Sequence, residues 1–238
     1  MIITIDGPAG SGKTTSAKLL TEKLNEKYTN KDFIVLDTGA IFRSFTIYLT
    51  KEFKYIDLLP NKIFEDDLKR RELINLLENI NFKIEGDKYY LGGKDISKDI
   101  RDPKNMKYLS QVSASKDIRL KILEIEREYS KDKNIVVEGR DTGSVVFPNA
   151  EFKFYLDADK KQRAYRRFLE ENGKNISFEE ALSNEKYIET LKAIEKRDKI
   201  DSEREEAPLI IPKDAIIIEN SKMDKFKTVL KILEYIDI

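Results

Sequence analysis

The chain has 238 residues, which at about 150 per domain suits one full domain with a sizeable insertion, or two small ones. Lys plus Arg and Asp plus Glu number 44 each, so the net charge is zero even though 37% of residues are charged; this excludes a chain-wide basic field for nucleic acid or anionic lipid, though not a local patch. Cys, His and Trp are all absent, which excludes disulfides, thiol nucleophiles, Cys- or His-held metals, the Ser-His-Asp triad and the commonest general base.

Short apolar runs rich in β-branched residues alternate with helical patterns. Ile2 to Ile5 reads as a first strand, and Thr14 to Glu26 follows with Ala17, Leu19, Leu20 and Leu24 at helical spacing. Phe33 to Leu36 reads as the second strand. A long gap, about residues 40 to 133, separates it from the third. Phe82-Lys83-Ile84, Tyr89-Tyr90-Leu91 and Asp95-Ile96 lie in that gap, with Glu85-Gly86-Asp87 and Gly92-Gly93 between them. They predict a small antiparallel meander in an inserted subdomain. Ile118, Leu120, Ile122, Leu123 and Ile125 predict a helix. Ile135 to Val137, Phe152 to Leu156 and Ile216 to Ile218 complete five strands. Helices are expected over about 160–171, 178–196 and 224–236, the second opened by a Ser177/Glu180 capping box.

Continuous apolar runs of this kind suit strands buried on both faces, as in a parallel sheet. Each run ends in a polar cluster: Asp6-Gly7, Asp37-Thr38-Gly39, Glu138-Gly139-Arg140-Asp141, Asp157-Ala158-Asp159 and Glu219-Asn220-Ser221. Ligands in α/β folds bind at the carboxyl ends of parallel strands, so these clusters mark the functional edge. No run approaches the ~20 apolar residues of a membrane span, and the N-terminus carries no signal-peptide pattern. The expectation is a cytoplasmic protein with no membrane and no nucleic-acid partner. The sequence carries no obvious apolar dimer stripe, so a monomer is expected.

Gly7-Pro8-Ala9-Gly10-Ser11-Gly12-Lys13-Thr14 fits G-x-x-x-x-G-K-[ST] in full, between a predicted strand and a predicted helix. Glycines let backbone N–H groups turn toward phosphate oxygens, and the helix N-terminus adds positive partial charge. Lys13 can reach β- and γ-phosphates, and the Thr14 hydroxyl can ligate Mg²⁺. The motif gives nucleotide binding without naming the reaction. The lack of histidine suits one class well. A phosphate monoester has a second pKa of about 6, so as acceptor it is already largely anionic and needs no general base. Catalysis then reduces to positioning and charge stabilisation.

Further motifs stand in order: Leu36-Asp37-Thr38-Gly39-Ala40-Ile41-Phe42-Arg43; Ser110-Gln111-Val112; Glu138-Gly139-Arg140-Asp141-Thr142-Gly143-Ser144-Val145-Val146-Phe147-Pro148; and Arg197-Asp198 through Asp201 and Arg204 to Ala207-Pro208-Leu209. With the phosphate loop, they resemble the bacterial cytidylate kinases, from residue 2 to about residue 236. The segment from Gly139 to Pro148 is the most diagnostic, since it separates this family from adenylate, thymidylate and shikimate kinases. The resemblance implies a three-layer α/β/α P-loop fold with a five-stranded parallel sheet. Its core would be 1–40 and 106–238. An inserted NMP-binding subdomain with a small antiparallel sheet would span 41–105, and a short helical lid about 158–176. It implies transfer of the γ-phosphoryl group of ATP to CMP or dCMP with Mg²⁺.

Residue roles follow from the same resemblance. Gly7 to Thr14, with Thr15, would cradle ATP, with Lys13 stabilising the transferring group. Arg43 and Arg140 resemble the clamp on the CMP phosphate. Thr38, Arg119 and Asp141 resemble the cytosine readers. Arg197 and Asp201 resemble ribose contacts, Arg204 an arginine near the base, and Ser110 part of the acceptor pocket. Arg163, Arg166 and Arg167 share a face of one predicted helix. Arg163 and Arg167 would then meet the transferring phosphoryl group from the lid. Glu138 would hold Mg²⁺ through water. Singly, each has a blander reading: a surface arginine, a strand-end cap, an i,i+4 pair. A UMP acceptor and a non-catalytic nucleotide switch are the alternative functions. The chain departs from the family pattern in a segment 168–196 about two helical turns longer than expected. It also carries Ile200 where some members have an arginine. Tyr89 and Tyr90 are expected to pack the small sheet rather than stack on a base.

Overall fold

A five-stranded sheet in the order β2-β6-β1-β7-β8 carries the fold, with helices on both sides. The computed structural model describes residues 1–173 and 176–237. Residues 174–175, within the span expected for the lid, lie outside the described residues. The strands are β1 (Ile2–Asp6), β2 (Phe33–Asp37), β6 (Asn134–Gly139), β7 (Phe152–Asp157) and β8 (Ile216–Glu219). All five coincide with the apolar runs of the sequence. β1 pairs in parallel with β6 on one side and β7 on the other, and β7 with β8. Ile3, Ile5, Val136, Val137, Phe154 and Leu156 have no exposed surface. A central parallel strand is buried on both faces, which is why its sequence runs apolar without alternation.

The chain divides into two compact units, Met1–Phe33 with Asn134–Ile238 and Ile34–Lys133. In the first unit, α1 (Lys13–Lys27) packs on β1, β6 and α9 (Lys225–Leu233). Leu20 and Leu24 of α1 are fully buried, each contributing roughly 1.5–3 kcal/mol. The phosphate-loop turn therefore sits on a helix anchored along its length.

The second unit holds the expected meander: β3 (Phe82–Glu85), β4 (Lys88–Leu91) and β5 (Lys94–Asp95), antiparallel in that order. Tyr89 is buried and stacks on Phe82, in keeping with a packing role. The unit is mostly helical, with α2 (Thr38–Glu52), α3 (Asp67–Glu78), α4 (Leu109–Ala114) and α5 (Lys116–Ser130). Only α5 stands out in the sequence. In α3 just Leu73 and Leu77 are buried, while Leu68 is 77% exposed, so its apolar stripe is narrow.

Back in the first unit, α6 (Lys160–Asn172), α7 (Phe178–Ala181) and α8 (Glu185–Glu203) differ from expectation in one respect. The Ser177/Glu180 capping box is present, but the single helix expected over 178–196 is broken at 182–184. Asn184 caps a fresh helix by accepting from the Lys186 N–H at 3.0 Å, and α8 runs on to Glu203. The local cap outweighs the continuing apolar spacing. α8 packs along α6 around Phe168, Tyr187 and Ile194. Among the described residues no helix is long and apolar enough to cross a membrane.

Candidate functional site

The turn after β1 is built for close approach. A Cβ on Gly7 would lie 2.3 Å from the Leu156 carbonyl oxygen, so only glycine fits there. The chain then bends through Gly12, in the left-handed region, into the first turn of α1. Lys13, though charged by type, is 5% exposed. Its Nζ donates to the Pro8 carbonyl at 2.7 Å and to Ser11 Oγ at 3.4 Å, within its own loop. Burial, and next the positive charge of Arg140, lowers its pKa to about 7, against the opposing pull of Glu138, Asp6 and Asp201. Thr14 Oγ1 donates to Glu138 Oε1 at 2.6 Å, joining the start of α1 to the end of β6.

Asp6, the residue before the loop, is completely buried and reaches the segment after β6. It accepts from the Thr142 N–H (2.9 Å) and hydroxyl (2.8 Å) with one oxygen and from the Gly143 N–H (2.7 Å) with the other. Burial pushes its carboxyl above the usual range, while these hydrogen bonds pull the other way. Residues Thr142–Val146 form a wide π-type turn whose amides return to the carbonyls of Asp141 and Thr142. This clasp fixes the base from which Arg140 and Asp141 project.

Those two residues open a charged cluster with the last turns of α8. Arg140 Nε donates to Asp201 Oδ2 at 3.0 Å, and Arg197 Nε to the same oxygen at 3.1 Å. Arg204 Nη2 donates to Asp141 Oδ1 at 3.1 Å, with both side chains under a tenth exposed. Asp201 Oδ1 is buried with no hydrogen-bond partner among the described residues. Burial raises the Asp201 pKa, but Arg197, Arg140 and Arg204 outweigh it and hold the carboxyl below its usual range. Arg140, Asp141, Arg197, Asp201 and Arg204 are thus brought together. Arg167 is half exposed and pairs with Glu171 at 2.6 Å, on the rim of an open cleft of about 480 Å³ that Arg197 also lines.

In the second unit, the Asp37 carboxylate caps α2 through the Ala40 N–H (2.8 Å) and accepts from Arg43 Nη2 (2.8 Å). The Arg43 Nε is buried with no hydrogen-bond partner among the described residues. Thr38 is buried in the first turn of α2. Arg119, on α5, donates to the Ser113 carbonyl (2.9 Å) and lies 5.1 Å from the Phe42 ring centroid. The Ser110 carbonyl accepts from Ser113 Oγ at 3.1 Å, so Ser110 and Arg119 share a neighbour.

Sequence reasoning missed the supports behind the phosphate loop. Asn220, 2% exposed, donates from Nδ2 to the Ser11 carbonyl at 3.0 Å and is itself gripped by Arg166. Asp198 accepts from the Ala9 N–H at 3.1 Å. Arg163, expected to meet a transferring phosphoryl group, is buried and donates to Ala158, Ala9 and Asp198. Asn220 lies in the polar cluster after β8 and Asp198 beside Arg197, but no local signal ties either to residues some 200 positions away.

A loop that can hold a nucleotide's phosphates and a separate cluster of arginines and carboxylates fit a two-substrate phosphotransferase, and the comparisons with known proteins agree. The cytidylate kinase from Fusobacterium nucleatum subsp. nucleatum is 40% identical over 223 residues, covering 94% of this chain and 91% of the relative. That of Thermodesulfovibrio yellowstonii is 40% identical over 227 residues (93% and 91%), and that of Fervidobacterium nodosum 38% over 234 residues (98% and 95%). Since the family model described as cytidylate kinase also matches residues 3–238, this chain belongs to the cytidylate kinase family.

Proposed function

We propose that the protein transfers the γ-phosphoryl group of ATP to CMP or dCMP, giving ADP and CDP or dCDP, as a cytoplasmic monomer. A bond forms between an acceptor phosphate oxygen and Pγ, and the bond from Pγ to the β,γ-bridging oxygen breaks, with ADP as leaving group. The acceptor is already anionic, so no general base is required, consistent with a chain lacking histidine. The observation that carries the reading is the pairing of a phosphate loop, with Lys13 buried at its centre, and the Arg140–Asp201–Arg197 cluster in the same compact unit.

In this reading residues 7–15 hold the ATP phosphates, and Lys13 becomes fully charged against them. Arg43 and Arg140 clamp the acceptor phosphate, whose oxygens would satisfy the unpartnered Arg43 Nε. A ribose hydroxyl would likewise donate to Asp201 Oδ1, which has no hydrogen-bond partner among the described residues, beside Arg197. Asp141, steadied by Arg204, accepts from the cytosine amino group, with Thr38, Arg119 and Ser110 completing the pocket. Uracil would set its own acceptor against Asp141, so the site repels as well as attracts. Arg167, free to leave its surface partners at little cost, is the lid arginine best able to reach the transferring group. Residues 41–105 act as the acceptor-binding insertion and 158–176 as the lid.

The Thr14 hydroxyl and Glu138 carboxylate, 2.6 Å apart, are the hard oxygen donors that fit Mg²⁺, Glu138 acting through water. When bound, the ion neutralises charge on the β- and γ-phosphate oxygens. Initial rates of ADP formation with Mg-ATP and CMP, dCMP, UMP, AMP, GMP or dTMP, against a blank without acceptor, test the proposal. Turnover confined to CMP and dCMP is expected. Preference for another monophosphate would overturn the roles of Thr38, Arg119 and Asp141. Nucleotide binding without turnover on any acceptor would leave only a nucleotide switch.

A further inference from the structure

The backbone of Ala9, in the phosphate loop, is held through both its N–H and its carbonyl. Its N–H donates to Asp198 Oδ1 at 3.1 Å, and its carbonyl accepts from Arg163 Nη1 at 2.8 Å. The two gripping side chains are paired with each other, Arg163 Nη1 to Asp198 Oδ2 at 2.6 Å, which closes a ring of three interactions. Arg163 is further fixed by donating from Nε to the Ala158 carbonyl at 2.9 Å, and its side chain is 8% exposed. The next residue supplies a second contact. A Cβ on Gly10 would come within 2.9 Å of the Arg163 carbonyl oxygen, so the loop lies directly on the backbone of α6.

We propose that Asp198, acting with Arg163, is a positioning residue of the ATP phosphate site: it sets the Ala9 peptide so that the following amides converge on phosphate. This rests on the phosphoryl-transfer reading above. Asp198 is the sequence neighbour of Arg197 and three residues from Asp201, yet α8 turns it toward the phosphate loop, while Arg197 and Asp201 meet Arg140. One helix therefore serves both substrates, from Asp198 and Asp201 three residues apart on adjoining positions of its surface. Arg163 engages three protein acceptors at once, the behaviour of a brace rather than of a side chain held ready for substrate. A charge-assisted ring of this kind is strong because each member satisfies the others in a partly buried setting.

The test uses the full chain and separates the two substrates. Binding of ADP by calorimetry is measured alongside KM for ATP, KM for CMP and the melting temperature. Asp198→Ala is expected to weaken ADP binding and raise KM for ATP about tenfold, with KM for CMP changed less than about twofold; tenfold corresponds to about 1.4 kcal/mol. Asp198→Asn keeps an acceptor for the Ala9 N–H, so most of the loss is expected to be recovered. Arg163→Ala is expected to share the donor-side profile, and the double variant to be no worse than the poorer single one, because both break the same ring. Equal weakening of ATP and CMP, or full additivity, would overturn the proposal. So would an Arg163→Ala variant that binds ADP normally but loses a hundredfold in kcat, since that places Arg163 on the reacting group. ADP binding is read without turnover, so a wild type that binds ADP but phosphorylates no CMP would fail the functional reading alone.

Discussion

Asp201 is the hinge of the cluster it forms with Arg140, Arg197 and Arg204, and its removal is the sharpest test of the electrostatics. It is 1% exposed and faces Arg140 and Arg197 at 3.0 and 3.1 Å, with Arg204 at 3.9 Å. Asp201→Asn keeps the shape and deletes the charge, leaving three arginines around a neutral amide. Breaking a buried pair by removing one partner costs about 3–5 kcal/mol. Arg140 and Arg197 are 23% and 29% exposed, so water screens part of their repulsion and we expect about 2 kcal/mol. The pH dependence isolates the charge. The folded-state pKa of Asp201 lies below its unfolded value, so its contribution is fully present above about pH 4–5 and is lost as pH falls through the folded-state pKa. Urea unfolding of both proteins from pH 7 down to pH 3 should give a constant difference that shrinks at the acid end, with equal m-values. A difference under about 0.5 kcal/mol at pH 7, or one that persists undiminished in acid, would refute the argument.

Lys13→Met should lower turnover by about 10²–10³ or more, because the transferring group loses its preorganised cation. The same change should stabilise the nucleotide-free protein below pH 7, where wild-type Lys13 is buried charged. That gain should fade from pH 7 toward about 10.5 as the unfolded chain loses the proton the folded state has already released, read as denaturation midpoint against pH. Asp141→Ala should reduce the CMP-to-UMP ratio of kcat/KM by about tenfold or more, while KM for ATP stays within about threefold in steady-state assays. Arg140→Ala should raise KM for CMP more than KM for ATP; equal effects would remove it from the acceptor site. Gly143→Ala would set a Cβ 2.8 Å from Thr4 Oγ1 and 3.3 Å from Asp6 Oδ2, so a loss of about 1–3 kcal/mol is expected by urea unfolding.

The strands were legible because a doubly covered strand is mostly apolar, without alternation: the runs at 2–5, 135–137 and 152–156, broken only by Thr4 and Lys153, all lie in the sheet. The phosphate loop was legible because its chemistry demands particular residues at fixed spacing. The helices of 34–133 were not, since α3 buries little more than Leu73 and Leu77. The capping carboxylate of Asp66, which accepts from the Leu68 and Lys69 N–H groups, was the signal available there. Asn184 offered a similar cue at the break between α7 and α8. Arg140 and Asp141 could be picked out with Asp201 and Arg204, but not who pairs with whom. The braces at Asp6, Asp198 and Asn220 were hidden because each acts on residues 136 to 209 positions distant. Only the folded chain defines such partners.

Those distances bear on how the protein is made. The phosphate loop leaves the ribosome well before its last brace: Asn220, on the Ser11 carbonyl, is 209 residues later. At about 5–20 residues per second, the loop waits roughly 10–40 s for it. A nascent chain halted before residue 198 carries the complete glycine-lysine signature without the Asp198 and Asn220 braces. If Asp198 positions the loop as proposed, tight ATP binding is a late event in synthesis, and a truncated product that lacks α8 and β8 should not sequester nucleotide.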